Sequence, residues 1–268
     1  MKKMTITDKM KRFVLRYQIE HSAETRWRTP LIGFALADDS LFPELKRVVS
    51  PTHTLPGDLL PTARTVISFF LPLDESIARS NIPGQLSSRN WAQAYVETNT
   101  LINSIGLYMK HDLESEGYDI VVTPPTHNFD PQRLVSDWSH RHLAFIAGLG
   151  RFGLNNMLIT ESGCCGRIGS FVTSLELPSD HRSEDEACLY RHNGSCKRCV
   201  SRCVGNALFH DQFNRHKCYH VCLRNEEEHQ STGKADVCGK CLVDVPCAFI
   251  NPVMKLMSEA EPIRIDTT

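Results

Sequence analysis

At 268 residues, with 41% hydrophobic and 23% charged residues, the chain has the composition of an ordinary globular protein of one large domain or two modest ones. Thirty Lys and Arg against 31 Asp and Glu leave a formal net charge of −1, which argues against a nucleic-acid or membrane-surface binder that works by bulk charge. The N-terminus lacks an apolar core of signal-peptide length, and the longest apolar run, residues 66–73, is far too short to cross a bilayer. A cytoplasmic location with no membrane partner is therefore expected.

In chain order, the N-terminal segment reads as an amphipathic helix with Met10, Phe13, Val14 and Tyr17 on one face. Residues 29–36 read as a strand, 41–49 as a short helix, and 64–71, a β-branched and aromatic run, as a buried strand. Between 88 and 116, Trp91, Tyr95, Leu101, Ile105, Met109 and Leu113 recur at helical spacing, and Gly117 supplies a stop. A strand over 118–123, a helix over 132–147, and strands over 156–160 and 168–177 around a glycine-rich turn complete an α+β region of about 180 residues. The expected division is an α+β core over 1–179, a cysteine-rich module over 180–252 and a loose tail over 253–268. The middle segment is poor in aliphatic runs, so metal ligation must help to hold it together.

Nine of the 11 cysteines lie between Cys188 and Cys247. In a reducing compartment such clustering points to metal or redox chemistry rather than disulfides. Cys196, Cys199 and Cys203 reproduce the last three positions of the bacterial ferredoxin run C-x2-C-x2-C-x3-C, with Cys188 the nearest substitute for the first. Cys238-x2-Cys241-x5-Cys247 forms a second group. In that ferredoxin pattern the fourth cysteine ligates the other cluster, so two [4Fe–4S] sites are expected. The first takes Cys188, Cys196, Cys199 and Cys247, and the second takes Cys203, Cys238, Cys241 and either Cys218 or Cys222. Zinc is the main rival, but one tetrahedral site would use only four thiolates and leave five neighbours idle. Gly148, Gly150 and Gly153 match G-x-G-x-x-G formally, yet a helix precedes them and a strand follows, the reverse of a dinucleotide-binding turn.

The stretch over 140–178, with its A-G-L-G-x-x-G, L-I-T, glycine turn and closing strand, resembles the segment before the ferredoxin module of epoxyqueuosine reductases and corrinoid reductive dehalogenases. The strand over 59–73 resembles one that these reductases carry, and Tyr95 falls near one of their tyrosines. Cys218 falls on an epoxyqueuosine reductase cysteine, which favours it over Cys222. This resemblance implies a nitroreductase-like core that binds cobalamin, or a flavin in its place, followed by a ferredoxin-like module. Electrons would pass from an external ferredoxin- or flavodoxin-type donor through the clusters to a small-molecule substrate. It also implies Asp137 (with Asp130 as another candidate) and Tyr95 as acids, and Gly148, Gly150, Gly153, His140, Cys164 and Cys165 around the cofactor. Dehalogenases carry an export signal and a longer core, both missing here. Epoxyqueuosine reductases continue into helical repeats that grip tRNA, whereas 16 residues follow Pro252 here, so a tRNA substrate is not expected. The main alternative is a non-catalytic electron carrier or corrinoid-reducing partner protein.

Overall fold

The computed structural model describes residues 2–126 and 128–260. The chain runs α1 (Lys3–Glu20), β1 (Leu31–Leu36), α2 (Leu41–Val48), α3 (Pro56–Leu59), β2 (Thr65–Pro72), α4 (Glu75–Ser80), α5 (Arg89–Ser115), β3 (Ile120–Val122), β4 (Phe129–Asp130), β5 (Val135–Ser136), α6 (His140–Ile146), β6 (Gly150–Phe152), β7 (Leu158–Thr160) and β8 (Gly166–Thr173). The cysteine-rich part follows with α7 (Leu189–Asn193), α8 (Arg198–Ser201), α9 (Arg215–Glu228) and α10 (Pro252–Ala260). It is a mixed α+β fold.

An antiparallel sheet in the order β1-β2-β8-β3 forms the centre. Alternation along the strands sends residues to opposite faces. Ile67, Phe69 and Phe171 face α5 and α1 in one apolar core, while Val66 and Val172 face α2 and α6 in the other. Helix α5 forms because its apolar residues recur every three or four positions and because Ser88 caps it, accepting the Trp91 N–H at 3.1 Å. Phe69, Phe171 and Ile105 are at most 1% exposed, and burying each contributes on the order of 1.5–3 kcal/mol.

The first of these cores runs on without a break into the cysteine-rich part and includes Cys188, Cys199, Leu242 and Val243. That segment therefore borrows the sheet's α5 side as its floor instead of building a separate core.

Two expected elements differ, and one helix was not foreseen. The helix expected over 132–147 is only α6; ahead of it lies the β4–β5 hairpin. Asp130 turns the chain there by accepting the N–H groups of Gln132 (2.8 Å) and Arg133 (2.9 Å), and Leu134 adopts φ +54°. The tail expected from 253 onward begins as helix α10, and its final eight residues lie outside the described residues. Helix α9, unforeseen in the cysteine-rich segment, is capped by Asn214, which accepts the Lys217 N–H at 2.9 Å. Among the described residues no helix is long and apolar enough to cross a membrane.

Candidate metal centre

The module's thiols gather in two neighbouring groups. Cys199, at the first turn of α8, feels the thiols of Cys247, Cys188 and Cys196; burial first, then these neighbours, pushes it up to about 12. Those four cysteines line a small cavity of about 20 Å³ together with Leu154, Asn155, Pro246 and Pro252. Cys241 is held well above the ordinary thiol range by burial and then by Cys238, Cys218, Cys203 and Cys199. Burial likewise lifts Cys238 to about 11. Cys218 instead falls to about 7, because Cys222, one helical turn further along α9, donates a hydrogen bond to it and the Arg141 guanidinium lies near. Cys199, within reach of both Cys247 and Cys241, links the groups. Among the described residues no three or more His, Cys, Asp or Glu side chains meet where one ion would sit.

Cys164 and Cys165, in the turn before β8, border the first group. The Cys164 N–H donates to the Cys247 carbonyl at 2.9 Å, and the Cys165 N–H donates to the Ala248 carbonyl at 3.1 Å. Cys164 Sγ lies 4.0 Å from Cys247 Sγ, while the Cys165 thiol donates to the Leu242 carbonyl at 3.2 Å. Cys247 is raised by its contact with Cys164 and by burial; Cys164 is raised by its contact with Cys165 and by burial.

Several side chains that sequence reasoning missed hold this part to the rest. Lys240, 0% exposed, donates from Nζ to the carbonyls of Asn81 (2.9 Å) and Pro83 (2.6 Å). The Asn81 amide donates to the Cys238 carbonyl at 2.9 Å, and Arg202 donates to the Ile82 carbonyl at 2.7 Å. Arg28 donates to the carbonyls of Phe249 and Ser162. A lysine inside C-x2-C is the one of these that its position in the sequence marks. A cleft of about 450 Å³, bordered by Arg79, Arg198, Val243 and Phe249, opens beside the loop that carries Cys247.

Tyr95 and Asp137 are not brought together. Tyr95 sits on α5, its hydroxyl donating to Asp236 at 2.6 Å and its ring covered by Arg167 at 4.0 Å. Burial, only partly offset by Arg167, raises its hydroxyl to about 12. Asp137 lies across the sheet on the α6 side, accepting from the Thr52 hydroxyl at 2.6 Å; its neighbour Trp138 donates to Ser170 Oγ at 3.0 Å. Asp130 is held low by the turn amides that it accepts. Arg167, whose Nε has no hydrogen-bond partner, and Asp236 were also unforeseen. Arg167 was legible as a charged residue in an otherwise apolar strand.

His140 is 7% exposed and both ring nitrogens are engaged. Its Nε2 faces the Pro124 carbonyl at 2.9 Å and so carries the proton; its Nδ1 then accepts from Ser170 Oγ at 2.8 Å. The space at the three glycines is filled by this chain. A Cβ at Gly148 would meet the His181 carbonyl at 2.6 Å, one at Gly150 the Ile159 carbonyl at 2.2 Å, and one at Gly153 the Asn155 side chain at 2.7 Å. On the side where a Cβ would point, all three glycines are packed against this chain.

Fold and thiol arrangement together define a class: a mixed α+β protein whose sheet is continued by a thiol-rich segment on one face. No protein-family model matches the chain. Within that class it resembles epoxyqueuosine reductases. It is 33% identical to the epoxyqueuosine reductase of Lactococcus garvieae over 109 residues, 38% of this chain and 29% of that protein. Its fold matches that of Bacillus subtilis epoxyqueuosine reductase, solved with its catalytic aspartate loop swung out of the active site (TM-score 0.51, 18% identity, 90% of this chain and 64% of that one). It also matches an epoxyqueuosine reductase solved with an epoxyqueuosine-modified tRNA-Tyr stem loop (TM-score 0.50, 19% identity, 91% of this chain and 64% of that one). The chain thus spans less than a third of the curated relative and about two thirds of the solved structures.

One expectation falls with that last match. A tRNA substrate was set aside because little sequence follows Pro252, yet an enzyme sharing the fold of nearly this whole chain is seen with a tRNA stem loop. The point at which the sequence stops does not bear on what the fold accepts.

Proposed function

We propose that the chain is an iron–sulfur oxidoreductase of the epoxyqueuosine reductase type, working in the reducing cytoplasm. Residues 180–252 form a ferredoxin-like module, residues 1–179 a nitroreductase-like core, and 253–268 a C-terminal extension. Cys188, Cys196, Cys199 and Cys247 hold one [4Fe–4S] cluster, and Cys203, Cys218, Cys238 and Cys241 hold the other. The observation that carries this reading is the pair of four-thiol groups, each joining a short-spaced run to a cysteine from a distant segment. The donor set fits: all-thiolate, half-buried to buried, with eight sulfurs where a lone zinc would use four.

When bound, such clusters supply one-electron transfer at low potential. This chain's own residues do the rest. The loop over 243–249 and the cleft beside it, with Arg79 and Arg198, offer an acidic ferredoxin- or flavodoxin-type donor its approach to Cys247. The apolar floor that α5 provides keeps water from the thiolates. Tyr95, a protonated phenol hydrogen-bonded to Asp236, is a proton-holding group on this side of the sheet, since Asp236 also acts on Cys222 beside the second thiol group. A tRNA stem loop of the kind bound by the matched enzyme is the substrate to test first.

No step is routed through the corrinoid that the resemblance implies. Because His140 and the three glycines are engaged by the chain itself, a second reading stands beside the first: a non-catalytic electron carrier with the same two clusters.

Anaerobic reconstitution with iron and sulfide should give brown protein with about eight irons per chain and a low-potential paramagnetic signal. Colourless protein retaining zinc instead would sink the cluster reading. Incubating the reconstituted protein with reductant and an epoxyqueuosine-modified stem loop, with and without added hydroxocobalamin, separates the two readings. Conversion supports the reductase; a corrinoid spectrum that never changes, with no conversion, supports the carrier.

A further inference from the structure

Among the cysteines outside the two groups of four, Cys164 is placed where a spare thiol has a use. It is 1% exposed, and its Sγ stands 4.0 Å from that of Cys247. Two features fix it there. Its own N–H donates to the Cys247 carbonyl, and the next residue's N–H donates to Ala248, so the turn and the ligand loop are stitched backbone to backbone. On its other side, Asn155, 6% exposed, points Nδ2 at Cys164 Sγ (3.9 Å) and at the Cys241 carbonyl (3.4 Å). An amide nitrogen can only donate. The Cys164 sulfur therefore accepts from Asn155, and across the 4.0 Å contact a Cys247 bound as a thiolate has no proton to give, so Cys164 is the side able to donate.

Two thiolates 4.0 Å apart in a buried site would repel strongly, whereas a thiol beside a thiolate is attracted to it. A ninth ligand is also surplus, since each cluster already has four. From this geometry we infer that Cys164 is not a ligand but an S–H donor to the Cys247 thiolate, tuning the cluster that Cys247 helps to hold. Each reduction adds negative charge that spreads onto the ligand sulfurs. A hydrogen bond to one of them stabilises the reduced form more than the oxidised one and raises that cluster's potential. The second cluster, ringed by Cys203, Cys218, Cys238 and Cys241, is reached from Cys164 only through Asn155 and the Cys241 carbonyl, and is affected less. Cys164 thus sets an ordering of potentials between the two sites.

This inference rests on the two-cluster reading, and its test keeps the two apart. Wild type, Cys164→Ala and Cys164→Ser are reconstituted anaerobically, their iron is counted, and both midpoint potentials are followed by paramagnetic-resonance redox titration. The expected result is equal iron in all three. In Cys164→Ala one midpoint moves to more negative potential and the other moves clearly less. In Cys164→Ser, whose hydroxyl still donates, that midpoint moves most of the way back. Full iron with both midpoints unmoved in Cys164→Ala overturns the inference alone. Loss of about half the iron in that variant also overturns it, because Cys164 would then be a ligand. Wild type that takes up no clusters overturns the reading beneath and this one with it.

Discussion

Replacing Gly163 with alanine strikes the joint that ties the turn at Cys164 to the Cys247 loop of the proposed cluster site. Gly163 adopts φ +80°, and a Cβ there would lie 2.4 Å from the Ala248 carbonyl oxygen, 2.5 Å from its carbon and 2.5 Å from the Phe249 nitrogen. The left-handed backbone costs a non-glycine residue about 1–2 kcal/mol. The overlap is with backbone that cannot swing aside, because the N–H groups of Cys164 and Cys165 bind the carbonyls on either side of it. Relieving it costs about 1–3 kcal/mol more, by analogy with overpacked cores. We expect Gly163→Ala to lower unfolding free energy by about 2–5 kcal/mol and to displace Cys247, with loss of iron from the first cluster. Gly117→Ala is the matched control: φ is +87° there and nothing lies within 4 Å of the added carbon, so only the backbone cost of about 1–2 kcal/mol applies. Urea unfolding of both variants and iron counts after reconstitution provide the comparison. If Gly163→Ala unfolds where Gly117→Ala does and keeps all its iron, the stitched-turn argument is wrong.

Cys199→Ser should halve the iron retained after reconstitution, because Cys199 belongs to one group of four, whereas Cys165→Ala, removing a thiol bound to the Leu242 carbonyl, should keep it all. His142 is lowered to about 4 by burial and by Arg141, and His53 is lowered too, chiefly by burial. As pH falls the unfolded chain protonates these rings first, so their contribution is intact above about pH 6.5 and declines from there toward about 4. Thermal melts across that window should show His142→Gln with a flatter acid slope than wild type; identical slopes would refute the assignment. Tyr95→Phe deprives Asp236 of its 2.6 Å hydrogen bond and should cost about 1.5 kcal/mol in denaturant unfolding, the low end for a bond to a charged group because the pair is only partly buried. An unchanged midpoint would show that bond to be unimportant.

What could be read from the residues in order was whatever depends on near neighbours. The three-and-four spacing of Trp91, Leu101, Ile105 and Met109 specifies α5, and the β-branched run around Val66 specifies β2, because backbone periodicity is a local property. C-x2-C spacing likewise marks Cys196–Cys199 and Cys238–Cys241 as thiol pairs on tight turns. The stretch over 132–147 misled because its apolar residues fit a helix, while Asp130 and Leu134 divert the backbone into a hairpin.

Tertiary structure decided the rest. By packing helices on the two faces of one sheet, it separates Tyr95, on α5, from Asp137, beside α6, a separation no spacing encodes. It turns Gly148, Gly150 and Gly153, which looked like room for a cofactor, into places where the chain touches itself. It also brings Cys164 to Cys247 across 82 intervening residues (247 − 164 − 1) by pairing a turn with a loop. Contacts of that kind depend on which surfaces the core buries together, and burial is a property of the assembled fold rather than of any segment within it.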